Sequence, residues 1–189
     1  MKTRDAIAVL LLASVCAAQT PPPGQWERVE KTDVLRGTAY SEFALTGTFL
    51  TPPKHASGAP VFVLKCVPGG RSYGLRQYRN GKFLDAYVTV GAVVDHSSGV
   101  WVNYRLDDGK IHKETWGTGT DGTAIFPNEI QVNTILYGHF MPHKEGTGSP
   151  IHEIVIAVNE FLGAEVVMQF DVPDPTPAAE ACGIILHKK

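Results

Sequence analysis

The chain holds 189 residues, with 17 Lys and Arg against 19 Asp and Glu and a net charge of −2 at neutral pH. That balance supplies no electrostatic drive toward nucleic acid or an anionic membrane surface, so neither is expected as a partner. The length fits one ordinary domain.

Residues 1–18 read as a cleavable secretory signal peptide. Lys2 and Arg4 give the positive start, Ala6 to Val15 the apolar stretch, and Cys16, Ala17 and Ala18 the small residues before a cleavage site expected after Ala18. The stretch is too short for a bilayer, which takes roughly 20 apolar residues. No later segment reaches that length without charges, so no transmembrane segment is expected once the signal is cut. Lipid anchoring at Cys16 is the weaker alternative, because Val15 stands where a small residue is wanted. Cleavage removes two basic residues and one acid, leaving 15 basic against 18 acidic side chains. The destination is therefore expected to be periplasmic or extracellular.

Thr20-Pro21-Pro22-Pro23-Gly24 suits neither helix nor central strand, since proline lacks the amide donor. Residues 19–40 read as a Pro-rich spacer and N-terminal segment, and 41–189 as a single β-rich domain. Phe43 to Leu50 predicts a strand that stops at Pro52-Pro53. Val61-Phe62-Val63-Leu64 is a continuous run of β formers, expected to be buried on both faces, with Cys66 at its end. Asn80-Gly81 between Arg71–Arg79 and Lys82–Val90 predicts a hairpin, and Asp107-Asp108-Gly109 between Val100–Leu106 and Lys110–Trp116 predicts another. Ile151–Val158 and Glu165–Val172 flank a turn at Phe161-Leu162-Gly163. A helix is expected over Glu129–Tyr137, capped by Asn128, although its β-branched content suits a strand nearly as well. A cleaner one spans Thr176–Gly183, with Thr176 as N-cap and Pro177 at the first helical position. The expected fold is mainly β: an antiparallel β-sandwich or open barrel with one or two short helices.

Gly117-Thr118-Gly119-Thr120-Asp121-Gly122 spells GxGxxG, but Thr123–Pro127 is too short and apolar to be the helix that a pyrophosphate site needs. A loop between strands is expected, and no cofactor. His139 and His143 have the spacing of a zinc helix, with His152 nearby. Pro142 and the Gly-rich stretch to Pro150 deny that helix, so no metal is expected. Asp95-His96-Ser97-Ser98 contains the letters of a hydrolase triad, yet sequence neighbours point apart and no GxSxG elbow exists. Asp107 and Asp108 read first as turn residues rather than an acid pair. Lys65, Arg71, Arg76, Arg79 and Lys82, interleaved with Tyr73 and Tyr78, form a local concentration of basic and aromatic side chains. The plain reading is a hairpin with solvated charges. The sharper one makes Tyr73, Arg76, Tyr78 and Trp116 candidate ligand-binding residues.

With Cys16 removed, Cys66 and Cys182 remain as an even pair in an oxidising compartment, and a disulfide between them is expected. Neither has a CxxC partner or a neighbouring His to favour a metal.

Leu64-Lys65-Cys66, Val102-Asn103-Tyr104-Arg105-Leu106-Asp107-Asp108-Gly109, Trp116, Asp121-Gly122-Thr123-Ala124, Phe170-Asp171-Val172 and Glu180-Ala181-Cys182-Gly183 follow one another along the chain. Together they resemble the exported β-sandwich proteins associated with bacterial type VI secretion, the VasI or TagO-like family. That family pairs a YR.D strand, a Trp, a DGTA turn and a late ACG cysteine. The resemblance covers roughly residues 60–183. Residues 139–150 read as an insertion, and 19–55 match nothing in the family. It implies a periplasmic accessory or binding domain without catalytic residues.

The expected function is an exported envelope accessory or interaction module whose partner is an envelope or secreted protein. The alternative is a secreted hydrolase or glycan-binding domain acting on a wall or extracellular polymer. As a hydrolase it needs two or more of Asp95, His96, His139, His143 and His152 gathered in one pocket.

Overall fold

The structure, a computed structural model, describes residues 24–35, 37–68, 82–95, 99–127, 151–161 and 163–182. The expected signal peptide with Cys16, the prolines of the spacer, the 71–79 arm of the first hairpin, the 129–137 helix and the 139–150 insertion lie outside the described residues.

Ten strands are described: β1 (Trp26–Asp33), β2 (Thr38–Thr46), β3 (Thr48–Thr51), β4 (Val61–Pro68), β5 (Lys82–Thr89), β6 (Val100–Leu106), β7 (His112–Thr118), β8 (Ala124–Phe126), β9 (Glu153–Asn159) and β10 (Glu165–Asp171). Among the described residues a short helix, α1 (Thr176–Ala181), follows them. The strands form one antiparallel sheet in the order β1-β2-β4-β5-β8-β7-β6-β9-β10-β3. The fold is thus mainly β, and of the expected forms it takes that of a curled sheet, a half-barrel.

Gly47 explains the curl. It alone separates β2 from β3, yet these strands lie toward opposite ends of the sheet. The chain therefore steps from one end of the sheet to the other within one residue, which requires the ends to approach. A Cβ at position 47 would stand 2.5 Å from the Gln169 carbonyl oxygen and 2.6 Å from the Phe170 ring. Only glycine lets the backbones come so close. The strand expected over Phe43 to Leu50 is accordingly two strands with Gly47 at the bend, and the second ends at the prolines as expected.

The expected N-terminal segment before residue 41 contributes a strand to the sheet. β1 pairs with β2 over its whole length, from Trp26↔Leu45 to Asp33↔Thr38. The sequence Trp26–Asp33 hides this because an end strand with six charged or polar residues buries little on either face. Trp26 is the exception. Its ring packs 6.3 Å from that of Phe62, and its Nε1 donates to the Pro173 carbonyl at 3.4 Å.

In β4, Phe62, Val63 and Leu64 are all buried, as the unbroken apolar run predicts. β4 pairs with β5 from Val61↔Thr89 to Pro68↔Lys82. The β6–β7 hairpin forms about the Asp107–Gly109 turn, with Val100 opposite Trp116 and Tyr104 opposite His112. β9 and β10 pair as expected, with the Glu160–Gly163 turn between them. Alternate residues point into the core, including Phe43, Leu45, Phe62, Phe170, Ile154, Ile156 and Met168.

Cys66 and Cys182 form the expected disulfide, with Cα atoms 5.3 Å apart. It docks α1 beneath β4, where Ala178 is fully buried. The cap differs from expectation. The N-cap is Pro175 and Thr176 is already helical, its N–H and hydroxyl both donating to Asp174 Oδ1. Proline offers no side-chain acceptor, so Asp174 takes the place that a capping Thr would have held. Among the described residues, no helix is long and apolar enough to cross a membrane.

Candidate binding face

β6 carries its side chains in strict alternation. Val100, Val102 and Tyr104 are buried, while Trp101 is 58% exposed and Asn103 and Arg105 are half-buried on the outer face. The register of the neighbouring strands builds a surface around them. Asn103 stands beside Lys113 of β7 and Ala157 of β9, and Arg105 beside Val155. β10 extends this face, with Val167 next to Ala157 and Gln169 next to Val155.

A cavity of about 190 Å³ opens on this face, lined by Asn103, Tyr104, Arg105, Ile111, Val155 and Ala157. Its floor is apolar and its rim polar. Arg105 is held by Glu153 at 2.9 Å, and Gln169 donates to the other Glu153 oxygen at 2.9 Å. Lys113 Nζ lies 5.1 Å over the Trp101 ring, a cation–π contact that braces the indole from one side. Ile111, 74% exposed in the β6–β7 loop, stands at the far end from Trp101. Two large apolar side chains held in water around an apolar floor, with hydrogen-bonding groups at the margin, are the composition of a binding surface.

Directly behind it, the inner face holds a buried polar group. Tyr104 OH donates to Glu114 Oε1 at 3.0 Å, and the Tyr104 ring packs against His112 and Trp116 at 5.0 and 5.8 Å. Burial first, then the bond to Glu114, pushes the Tyr104 phenol up to about 12. Glu114 Oε2 and Trp116 Nε1 are buried and have no hydrogen-bond partner among the described residues.

A second polar group crosses the outer face of the other half. Glu42, buried, pairs with Lys31 at 2.5 Å and sits opposite Lys65, which sits opposite Asp85. Lys65 Nζ lies 4.3 Å over the Tyr40 ring. The hydrogen bond to Glu42 holds Lys31 above its ordinary pKa, and desolvation raises that of Asp85. These charges alternate in sign across four strands, with Lys31 and Glu42 in contact, which is the arrangement of a cross-strand ladder.

The residues singled out in the sequence fall in several places. Trp116 is 2% exposed in the core, so it does not contribute to an exposed ligand face. Tyr73, Arg76 and Tyr78 lie outside the described residues, as do Arg71, Arg79, His96, His139 and His143. Asp95 and His152 are not brought together. Asp95 N–H donates to the Asn159 carbonyl at one end of β9, whereas His152 precedes the other end. A rise of about 3.3 Å per residue sets those ends roughly 20 Å apart. Asp107 acts as a turn residue with φ +48°, and its Oδ1 accepts the His152 and Glu153 amides at 2.7 and 2.8 Å. The GxGxxG letters form the β7–β8 turn, where Gly122 N–H donates to the Gly119 carbonyl and strand β8 follows, not a helix. Thr123 N–H bonds Asp121 Oδ1 there and holds that carboxyl below its usual pKa. Among the described residues, no three His, Cys, Asp or Glu side chains gather as a metal site.

Sequence reasoning passed over Trp101, Arg105 and Ile111. The signal was present, since Val100, Val102 and Tyr104 mark the inward parity of the strand and leave a tryptophan on the wet one. No family model, no curated protein and no solved structure matches the chain.

Proposed function

We propose that this chain works after export as an accessory or interaction module of the bacterial envelope, in the periplasm or outside the cell, without chemistry of its own. Its partner is an envelope or secreted protein, and the face of β6 and β9 receives it. The observation that carries this reading is the exposed Trp101 beside the apolar cavity, with Ile111 and Arg105 on its rim. Tryptophan and arginine are the side chains in which protein interfaces concentrate their energy, and an apolar pocket ringed by polar groups suits an inserted side chain. The resemblance to proteins associated with type VI secretion supports an accessory role in that setting. The separation of Asp95 from His152 gives the hydrolase reading no support.

The test is recovery of partners from the native envelope by chemical cross-linking and mass spectrometry, with the exported chain and its Trp101→Ala variant side by side. Loss of one anchor costs about 2 kcal/mol or more of binding, so the specific partner should fall by at least ten-fold. Equal recovery with both chains overturns the assignment of the face. Retention on purified wall polymer in place of a protein would favour the glycan-binding alternative.

A further inference from the structure

Trp101 does not meet a partner alone. Lys113, exposed on β7, holds its ammonium 5.1 Å over the indole ring, and among the described residues it has no acid beside it. The register shows why. Its cross-strand neighbour is Asn103, its neighbours along the same face of β7 are Ile111 and Thr115, and Thr115 stands opposite Trp101. None of these carries a charge. Arg105, the other cation at the cavity, is in the opposite condition: Glu153 faces it at 2.9 Å, and Gln169 donates to the second Glu153 oxygen.

A protein that covers Trp101 also covers the ammonium lying on its ring. The cation–π contact favours that position but supplies no counter-charge, and it is weaker than the cost of taking an unpaired ammonium out of water. Arg105 brings its own acid into the contact, whereas Lys113 does not. We infer that the protein segment received by this face presents the carboxylate of an Asp or Glu to Lys113, beside an apolar side chain that fills the cavity. That specificity rests on the assignment of the β6 and β9 face to a protein partner, and adds to it the chemistry the partner must carry.

The two contacts lie close together. Asn103 lines the cavity and is also the cross-strand neighbour of Lys113, so acid and apolar side chain stand one or two strand spacings apart, roughly 5–10 Å. Same-face neighbours on an extended segment, or on successive turns of a helix, have that separation. A glycan suits the place less well. Ile111, Val155 and Ala157 make the cavity aliphatic, and sugar hydroxyls laid against them would lose water without gaining hydrogen bonds.

The test is selection from a displayed library of random short peptides on the exported chain and on its Trp101→Ala, Lys113→Gln and Lys113→Glu variants. Peptides enriched by the parent chain should share a large apolar residue with an Asp or Glu within about four positions of it. They should bind Lys113→Glu at least ten-fold more weakly, and the parent more weakly as salt is raised. Lys113→Gln should erase the preference for an acid, and Lys113→Glu should enrich peptides with Lys or Arg in its place and the apolar residue kept. Trp101→Ala should enrich neither kind. Peptides that depend on Trp101 but show no preference for an acid, or the same preference on Lys113→Glu, would overturn the carboxylate and leave the face standing. Failure to enrich any peptide, or peptides bound equally by Trp101→Ala, would overturn the face and the carboxylate with it. Trp101-dependent retention on an acidic polysaccharide in place of peptides, or Trp101-dependent self-association in the analytical ultracentrifuge, would also overturn the inference, by seating a glycan or a second copy there.

Discussion

Tyr104 carries the clearest electrostatic consequence at the scale of single residues. Its phenol is neutral below about pH 10 whether the chain is folded or not, and above that the unfolded phenol ionises while the folded one keeps its proton to about 12. The folded state then binds more protons, so the contribution of Tyr104 is complete below about pH 10 and is lost as pH rises toward 12. Tyr104→Phe should lack that alkaline loss. At neutral pH it should cost about 1–3 kcal/mol, because Glu114 Oε1 would lose the phenol that donates to it in a buried setting. Urea midpoints of both proteins from neutral to alkaline pH measure the two effects, and parallel curves would contradict the first. Residue-scale roles were legible where partners are local, as with the Asp121–Thr123 turn. Those of Asp107 were legible only in part. Its turn was written in Asp-Asp-Gly, but its bonds to His152 and Glu153 join residues 45 and 46 positions away.

Among the elements, Gly47 decides more than any strand. Gly47→Ala should push the new methyl against the Gln169 carbonyl, which is backbone and cannot rotate aside. The expected loss is about 1–3 kcal/mol, as for other overpacked sites, read as a lower urea midpoint. An unchanged midpoint would show that β2 and β3 part more readily than their approach to β10 suggests. Strands with one wet face, such as β6, β9 and β10, could be read from alternation alone, and β4 from its unbroken apolar run. β1 could not, because an end strand owes its place to backbone pairing with β2 and leaves its charges in water. Thr176 misled for a related reason. The letters of a cap were present, but Asp174 two positions earlier bonds both its amide and hydroxyl.

At the scale of the molecule, the Cys66–Cys182 disulfide closes the fold with a sequence separation of 116 residues. A loop of that length implies about 4–5 kcal/mol of restraint on the unfolded chain, and replacing both cysteines by Ala should cost about 2–5 kcal/mol. The loss should appear as a lower denaturation midpoint and faster hydrogen exchange in α1. Alkylated protein of equal mass before and after reduction would contradict the bridge itself. The pairing was legible from the count of cysteines, whereas the candidate face was not, since it needs the registers of β6, β7, β9 and β10 to bring Trp101, Ile111 and Val155 onto one surface. That face is also where the proposed function is most exposed to test. A photoreactive side chain placed at Asn103, with Trp101 left intact, should capture a specific envelope or secreted protein in the living cell, and the same group at Lys65 on the opposite half of the sheet should not. Capture of the same proteins from both positions, or from Lys65 alone, would contradict the account.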